Sequence, residues 1–209
     1  MMALLSDKAF DDPDWVFEIK WDGYRAIADI TKSKTELYSR NGLSFANDYQ
    51  TIYEELKKIK QDIVLDGEIV ALDKNGIPKF QFLQQYERDK SHPLVYYVFD
   101  CLRINGKSII DKPLIERKKL LKDALPKSNV ILYCDHVAEH GIAFFDEVRK
   151  EGLEGMIAKR ASSPYQLGKR GHVWLKVKNL LEEEAVIAGF TEGRGSREYF
   201  GALILGAYR

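Results

Sequence analysis

The sequence is short of the features that mark several specialised classes of protein. Its 209 residues contain no apolar run long enough to span a membrane, and the opening MMALLSDKAFDD lacks the basic segment of a signal peptide. Basic and acidic residues number 32 each, which leaves a net charge of zero. These absences argue against a membrane protein, a secreted protein and a generally basic nucleic-acid coat, and they predict a cytoplasmic location.

Cysteine is scarce as well. The two cysteines, Cys101 and Cys134, lie in the apolar runs VFDCL and ILYCD. Such surroundings predict buried, reduced thiols rather than a disulfide or a metal pair, which also suits the cytoplasm. The remaining composition, 45% hydrophobic and 31% charged, is typical of a folded chain with a substantial core.

The apolar patterning predicts a mixture of strands and helices. Strands are expected at residues 15–20, 25–31, 35–40, 63–72, 94–101, 155–160 and 172–178, and helices at 49–60, 112–125 and 142–152. The helices do not alternate regularly with the strands. This order predicts an α+β fold with mostly antiparallel sheets flanked by helices.

A second unit is predicted near the C-terminus. From about Ala185 the sequence reads as a strand, a loop rich in glycine and arginine, and another strand: AVIAGF, TEGRGSREYFG and ALILGAYR. Two strands do not bury a core by themselves, so this segment is interpreted as the first hairpin of a truncated domain. The predicted division is one domain over residues 1–183 and the start of a second over residues 184–209.

Lys20 is the candidate nucleophile. A lysine beside a strand usually extends into solvent. Here Ile19 and Trp21 are expected to remove water from the amine, and Gly23 is expected to let a ligand approach the backbone closely. Nucleophilic attack requires a neutral amine, and desolvation or neighbouring cations such as Arg25 favour that form.

Other charged residues beside predicted strands are candidates for the same site. Glu68 and Glu154 each adjoin a glycine, and Lys176 and Lys178 are spaced to project from one face of a strand. Two carboxylates and two lysines carry the charges needed to hold a divalent metal and a triphosphate. Phe99 or a tyrosine of YYVFD offers a flat surface for a base, although core packing is the simpler explanation for any one aromatic residue.

Six motifs occur in the order found in a known family: KWDGYR, SRNG, DGEIV, YYVFD, EGMIAK and WLKVK. Together they resemble the nucleotidyltransferase motifs of ATP-dependent DNA ligases, and the match is nearest to the ligase module of bacterial ligase D. The resemblance covers essentially the whole chain. It implies a nucleotidyltransferase (ATP-grasp-like) domain followed by the first strands of a truncated OB-fold.

The resemblance also implies roles for individual residues. Lys20 would attack the α-phosphate of ATP and form a lysyl-AMP intermediate, and the AMP would then pass to the 5′-phosphate of nicked DNA. The residues implied at the ATP or AMP are Glu18, Ile19, Lys20, Arg25, Arg40, Glu68, Phe99, Lys176 and Lys178. Glu154, with Glu68 as a second carboxylate, would bind Mg²⁺ or Mn²⁺. The residues implied at the DNA are Arg40, Lys169 and Arg170.

Within the nucleotide set, the resemblance implies a more detailed arrangement. Phe99 would stack on adenine, with Glu18 beside the same base. Arg25 and Glu68 would hold the ribose. The two lysines of WLKVK would contact the α-phosphate.

The implied substrate is nicked or broken double-stranded DNA, sealed by a monomer in the cytoplasm, at the bacterial nucleoid, without a membrane. Polymerase and nuclease modules and a Ku-type end-binding protein are implied partners in end joining. Since the family's basic OB-domain motif is not reached, weak self-adenylation and little sealing are expected of this segment alone.

Two other functions remain open from the sequence. One is an RNA ligase or a GTP-using capping enzyme, which shares the lysine chemistry. The other is a non-catalytic nucleic-acid-binding module that uses residues 155–181, where six basic residues occur without an acidic one. A run of this kind forms either a solvated basic face or a polyanion site.

Overall fold

The computed structural model describes residues 1–180, 184–195 and 198–207 of the chain. Contacts divide the chain into two compact units, Met1–Asn179 and Leu180–Arg209. The boundary predicted after residue 183 adjoins residues outside the described ranges. Within those ranges, no helix is long and apolar enough to cross a membrane.

The first unit is built from strands and four short helices. The strands are β1 (Met2–Leu5), β2 (Asp12–Ile19), β3 (Tyr24–Ile30), β4 (Thr35–Ser39), β5 (Ile63–Ala71), β6 (Leu94–Ile104), β7 (Lys107–Ser108), β8 (Ile131–Tyr133), β9 (Val137–Glu139), β10 (Gly155–Arg160) and β11 (Arg170–Lys178). The helices are α1 (Gln50–Leu56), α2 (Phe80–Gln84), α3 (Leu114–Ala124) and α4 (Gly141–Lys150). Every helix and strand predicted for this unit is present, and the α+β class is confirmed.

Two sheets form the framework of the first unit. One has the strand order β1-β11-β10-β2-β9, and the other has the order β4-β3-β5-β6-β7 with β8 paired to β6. The β1–β11 and β6–β8 pairs are parallel, and the other pairs in these sheets are antiparallel. The predicted antiparallel arrangement is therefore confirmed. Consecutive strands β2 and β3 belong to different sheets, so the turn between them crosses from one sheet to the other.

The five-stranded sheet has one apolar face and one polar face, because side chains alternate along each strand. Phe17, Met156, Ala158 and Val177 are buried together on the apolar face, against aromatic side chains of α4. The residues between them therefore project from the opposite face. That face carries much of the candidate site.

The larger core lies around the six-stranded sheet and helices α1 and α3. Its fully buried members include Ile52 of α1, Leu65 of β5 and Leu121 of α3. The single hydroxyl proton of Tyr96, at its centre, is shared between the Ala26 carbonyl (2.9 Å) and the Leu65 carbonyl (3.2 Å), which satisfies this buried donor. Cys101 and Cys134 are buried free thiols, as predicted.

Four short elements were not predicted: β1, α2, β7 and β9. Each spans two to five residues, too few to show a period. The omission of β1 matters most, because its pairing with β11 brings Ala3 to the candidate site. The segment was considered only as a possible signal peptide.

The second unit contains the antiparallel strands β12 (Val186–Phe190) and β13 (Leu203–Gly206). The predicted strand–loop–strand order is therefore present. The large apolar side chains of this hairpin are exposed: Val186, Ile187, Phe190, Leu203, Ile204 and Leu205. A two-stranded hairpin cannot bury such residues itself.

Helix α3 buries two cations as well as its leucines. Arg117 and Lys118 are fully buried between Leu114 and Leu121, although the sequence pattern predicts only an apolar face. Arg117 donates two hydrogen bonds of 2.8 Å to the carboxylate of Asp100, which is also fully buried. This bidentate pair joins α3 to β6.

Replacing Arg117 by methionine is expected to lower the free energy of unfolding by about 3–5 kcal/mol, because Asp100 would keep a buried charge without its partner. Urea denaturation followed by circular dichroism measures the change. Lys112→Met is the control, since it removes an exposed ion pair with Glu116 (3.0 Å) and is expected to cost less than about 1 kcal/mol. Equal losses in the two variants would contradict this account.

Candidate active site

Lys20 lies in the turn that carries the chain from one sheet to the other. The turn follows Ile19 at the end of β2 and leads to Tyr24 at the start of β3. The Lys20 amide donates a hydrogen bond of 2.9 Å to the carbonyl of Gly155, the first residue of β10. This bond holds Lys20 beside Glu154, whose carboxylate forms an ion pair with Lys20 Nζ.

Gly23, in the same turn, is required by packing. A Cβ atom at this position would lie 2.0 Å from the carbonyl oxygen of Ile69 and 3.0 Å from Val70 Cγ1. Strand β5 therefore packs closely against the backbone of Gly23, which accounts for the glycine. Contact between Gly23 and a ligand stays a prediction.

A cleft beside Lys20 is lined by residues from both sheets. The lining includes the predicted residues Glu18, Ile19, Lys20, Arg25, Glu68 and Phe99. It also includes Ala3, Trp21, Ile157, Lys159 and Trp174, which were not predicted as site residues. The structure thus brings together residues that lie far apart in the sequence.

The Lys20–Glu154 ion pair is partly accessible, with side-chain exposures of 21% and 28%. An ammonium group has no lone pair, so Lys20 cannot attack an electrophile while it remains protonated. The pair therefore holds Nζ of Lys20 beside the Glu154 carboxylate.

Arg25 is held rigidly by Asp66. Its Nε and Nη2 atoms donate to the two carboxylate oxygens at 2.9 Å and 2.6 Å, and Asp66 is fully buried. Tyr165 donates a further hydrogen bond of 2.7 Å to Asp66. The guanidinium carbon lies 5.5 Å from the centre of the Phe99 ring. Arg25 therefore presents a fixed cationic surface to the cleft.

Glu68 lies opposite Arg25 in the β3–β5 pair. Burial raises the pKa of Glu68 to about 8, although the charges of Arg25 and Lys20 act in the other direction. Arg25 donates two of its hydrogen bonds to Asp66, which explains why burial outweighs the charge of Arg25 in setting the pKa of Glu68. A carboxyl with this pKa is mostly protonated near neutral pH, so it can both donate and accept a hydrogen bond.

Aromatic rings provide flat surfaces in the cleft. Phe99 and Trp174 meet edge to face, with ring centres 5.9 Å apart. Trp21 stacks on Tyr97 at 3.7 Å, and its Nε1 donates to Cys134 Sγ at 3.3 Å. These contacts fix the orientation of the rings before any ligand arrives.

Two lysines that contact Glu18 were not predicted as site residues. Lys118 of α3 and Lys159 of β10 are both buried, and each approaches a carboxylate oxygen of Glu18 at 2.6 Å. The alternation of side chains along β10 gave one indication that Lys159 belongs to the site, because it places Lys159 on the same strand face as Ile157. The burial of Lys159 also shows that residues 155–181 do not form a single solvated basic face.

Lys176 and Lys178 lie on β11, on the same strand face as Trp174. Lys176 is paired in register with Ile157, and Lys178 with Gly155. They do not line the cleft itself. Both therefore lie on the polar face of the sheet, next to the strand that carries part of the cleft.

The predicted DNA-contacting residues occupy a different place. Arg40 follows β4, and Arg170 begins β11; both are exposed, and their guanidinium groups approach Met2 Sδ at 3.6 Å and 3.9 Å. Lys169 is exposed beside Arg170, and its carbonyl accepts a hydrogen bond of 2.9 Å from the Met2 amide. The three cations therefore gather around β1, outside the lining of the cleft.

The carboxylates in and beside the cleft suit a metal ion that is bound partly by the protein and partly by a substrate. Within the described residues, no group of three acidic, histidine or cysteine side chains is arranged to hold an ion. Mg²⁺ commonly binds one or two protein carboxylates together with substrate phosphates and water. Glu154 meets that requirement. Burial and the charge of Glu154 raise the pKa of nearby Asp22. Glu68, the second predicted carboxylate, lines the cleft, and its role as a metal ligand stays a prediction.

Comparison with known protein sequences gives one family. A family model described as an ATP dependent DNA ligase domain matches residues 5–178. The chain is 36% identical to the multifunctional non-homologous end joining protein LigD of Mycolicibacterium smegmatis, over 92% of this chain and 25% of that protein. It is 33% identical to the SPbeta prophage-derived DNA ligase-like protein LigB of Bacillus subtilis, over 88% of this chain and 68% of that protein.

Solved structures give the same result. A mycobacterial DNA ligase D complexed with ATP and MES matches 98% of this chain and 66% of that chain, with a TM-score of 0.78 and 31% identity. The ligase domain of M. tuberculosis LigD matches 98% of this chain and 67% of that chain, with a TM-score of 0.76 and 32% identity. The chain thus spans a quarter of the M. smegmatis LigD protein.

Replacing Gly23 by alanine is expected to lower the free energy of unfolding by about 3 kcal/mol or more, because the added methyl overlaps the Ile69 carbonyl. Thermal and urea unfolding measure the effect. Gly171→Ala in β11 is the control, since its nearest neighbour would be the Gln166 side chain at 3.5 Å, and a change within about 1 kcal/mol is expected. A tolerated Gly23→Ala would show that the turn can move away from β5.

Glu68→Gln is expected to become more stable than the wild type as pH rises. The folded pKa of Glu68 lies near 8, above its ordinary value of 4.5, so the native state holds a proton that the unfolded state releases between these values. Wild-type stability therefore falls across that range by up to a few kcal/mol relative to Glu68→Gln. Urea midpoints at pH 5, 6.5 and 8 measure the difference. Exposed Glu54→Gln should show no such trend.

Proposed function

The chain belongs to the family of ATP-dependent DNA ligase domains, and from this premise we propose that its cleft transfers AMP from ATP to Lys20. The AMP then passes to the 5′-phosphate of a DNA nick, and the 3′-hydroxyl displaces it to seal the strand. One observation carries the proposal: the amine of Lys20 lies in a cleft that also contains Arg25, Glu68 and the ring of Phe99.

The first step follows from the state of Lys20. Nζ gives up a proton to water, separates from Glu154 and attacks the α-phosphorus of ATP, and the nitrogen loses a second proton to water as the phosphoramidate forms. A P–N bond forms as the bond from the α-phosphorus to the bridging oxygen breaks, and pyrophosphate leaves with that oxygen. The hydrogen bond from the Lys20 amide to Gly155 supports this step, because it fixes the backbone from which the side chain reaches the phosphate.

The walls of the cleft suit the nucleoside part of ATP. Phe99 provides a face for adenine, with Ile19 and Glu18 on the same side of the site. Arg25 and Glu68 hold the ribose in this proposal. A protonated Glu68 suits that role, since a sugar hydroxyl can donate to it and accept from it.

The phosphates extend along the polar face of the five-stranded sheet. Lys176 and Lys178 share the face of Trp174, so their ammonium groups offer charge stabilisation for the α-phosphate in the transition state. Arg40 is assigned to the phosphate region and to the 5′ end of the DNA. Mg²⁺ or Mn²⁺ held by Glu154 would neutralise phosphate charge and ease the departure of pyrophosphate.

The DNA backbone is proposed to lie across Arg40, Lys169 and Arg170, which cluster around Met2 and are exposed. The second unit is proposed to begin an OB-fold. Its uncovered apolar side chains support this, because further strands of a barrel would bury them. The domain division at residues 183 and 184 stands as part of the same proposal.

The biological setting is proposed from the relatives. LigD of M. smegmatis is named as a multifunctional non-homologous end joining protein. We therefore assign this domain to the repair of broken DNA in the cytoplasm, acting as a monomer. Polymerase and nuclease modules and a Ku-type end-binding protein are its proposed partners.

The alternatives find less support. The family match favours a DNA ligase over an RNA ligase or a GTP-using capping enzyme. A purely nucleic-acid-binding module would use residues 155–181 as one basic surface, and the burial of Lys159 disrupts that surface.

Intact mass under denaturing conditions tests the nucleophile. After incubation with ATP and Mg²⁺ or Mn²⁺, the wild-type chain is expected to gain the mass of one AMP, and GTP is expected to give no adduct. Lys20→Ala should give none with either nucleotide. Lys20→Arg is the matched control, since its guanidinium keeps a cation beside Glu154 but provides no primary amine that can act as the nucleophile.

The outcomes separate the possible failures. An AMP adduct that persists in both Lys20 variants would place the nucleophile elsewhere. Absence of an adduct in the wild type would be followed by an ATP-binding titration. Binding without an adduct would restrict the domain to nucleotide recognition, and absence of binding would overturn the proposed function.

A further inference from the structure

The carboxylate of Glu18 is held by two lysines from different parts of the fold. Lys118 Nζ of α3 donates to Oε1 at 2.6 Å, and Lys159 Nζ of β10 lies 2.6 Å from Oε2. The side chains of Glu18, Lys118 and Lys159 are 2%, 1% and 2% exposed. Glu18 lines the cleft, and Lys118 reaches its carboxylate from α3.

Lys118 contacts this carboxylate and the residues next to it. Its amine donates a second hydrogen bond of 2.9 Å to the Cys134 carbonyl and lies 4.7 Å from the centre of the Tyr133 ring. It does not line the cleft. Lys159, in contrast, lines the cleft and lies over Phe99 (4.3 Å) and Trp174 (4.2 Å).

The two lysines also differ electrostatically. Burial acts to raise the pKa of Glu18, but the charges of Lys118 and Lys159 outweigh it and the pKa is lowered. Burial also acts against the charge of Lys118, yet Glu18 raises the pKa of that amine above its ordinary value. At Lys159 burial prevails and the pKa is lowered. Lys118 is therefore the more permanent cationic partner of Glu18.

An ionised carboxylate accepts hydrogen bonds and donates none, whereas a protonated carboxyl can do both. Adenine presents an exocyclic amine, which is a donor. Guanine presents a carbonyl oxygen at the corresponding ring position, which is an acceptor. A glutamate held in its ionised form therefore attracts the first base and repels the second, while a protonated glutamate could accommodate either.

We propose that Lys118 is a positioning residue for base selection: by holding Glu18 as an obligate acceptor, it makes the cleft favour adenine nucleotides over guanine nucleotides. This inference rests on the proposed function, in which Glu18 lies beside the base. It assigns a specificity role to a helix residue outside the six sequence motifs. It also accounts for the two cations that surround this one buried carboxylate.

Lys118→Met tests the inference, because methionine preserves the length of the side chain and removes its charge and donors. The measurement is the ratio of ATP to GTP dissociation constants by calorimetry on the full chain, with the matching AMP and GMP adducts by intact mass. The wild type is expected to favour ATP by about 100-fold or more, and Lys118→Met by about 10-fold or less. A ratio is independent of the folded fraction of each variant.

Arg117→Met is the matched control. It removes an equally buried cation from the next position of α3, but its partner Asp100 does not line the cleft. Its selectivity is expected to equal that of the wild type despite a loss of stability. Lys118→Arg, which retains a cation, is expected to restore most of the preference for ATP.

A double variant tests whether Lys118 acts through Glu18. Lys118→Met is expected to change the ratio in the wild-type background and to change it no further in a Glu18→Gln background. Wild-type selectivity in Lys118→Met, or an equal loss in Arg117→Met, would overturn the inference and leave the proposed function intact. Absence of ATP binding by the wild type would instead overturn the proposed function itself.

Discussion

The crossing of the chain between the two sheets is the constraint on which the site depends. Residues 20–23 must leave β2 in one sheet and enter β3 in the other, and both ends of this turn are fixed. Lys20 is bonded through its amide to Gly155, and Gly23 packs against the Ile69 carbonyl with no space for a side chain. The Lys20 side chain consequently starts from a fixed backbone position, and both sheets contribute walls to the cleft beside it.

Charge around this turn is arranged as matched pairs. Arg25 is paired with Asp66, Arg117 with Asp100, and Lys20 with Glu154. Pairing lets charged groups lie in or near the core without an uncompensated cost. Glu18 departs from this pattern, since one carboxylate faces two ammonium groups. Glu68 has too few partners instead of too many, because Arg25, its neighbour across the strand pair, is bonded to Asp66. Burial therefore raises the pKa of the Glu68 carboxyl to about 8.

Much of the fold could be predicted from the sequence, because the principal strands and helices are long enough to show their periods. Short elements such as β1 have too few residues to show a periodic pattern. Whether they form is decided by pairing with strands that are distant in the sequence. In the site, six motifs directed attention to Lys20, Glu68 and Phe99, and the cleft contains all three. Lys118 and Lys159 were missed because burial of a lysine is decided by distant residues, and local sequence favours exposure.

The distribution of tryptophan has an optical consequence. Of the three tryptophans in the chain, Trp21 and Trp174 line the cleft, while Trp15 packs edge to face on Phe10 at 5.3 Å. Indole emission depends on the polarity and the stacking partners around the ring. A nucleotide that enters the cleft would change the surroundings of two of the three indole rings at once. The intrinsic fluorescence of the chain therefore serves as an internal gauge of occupancy, without any added dye.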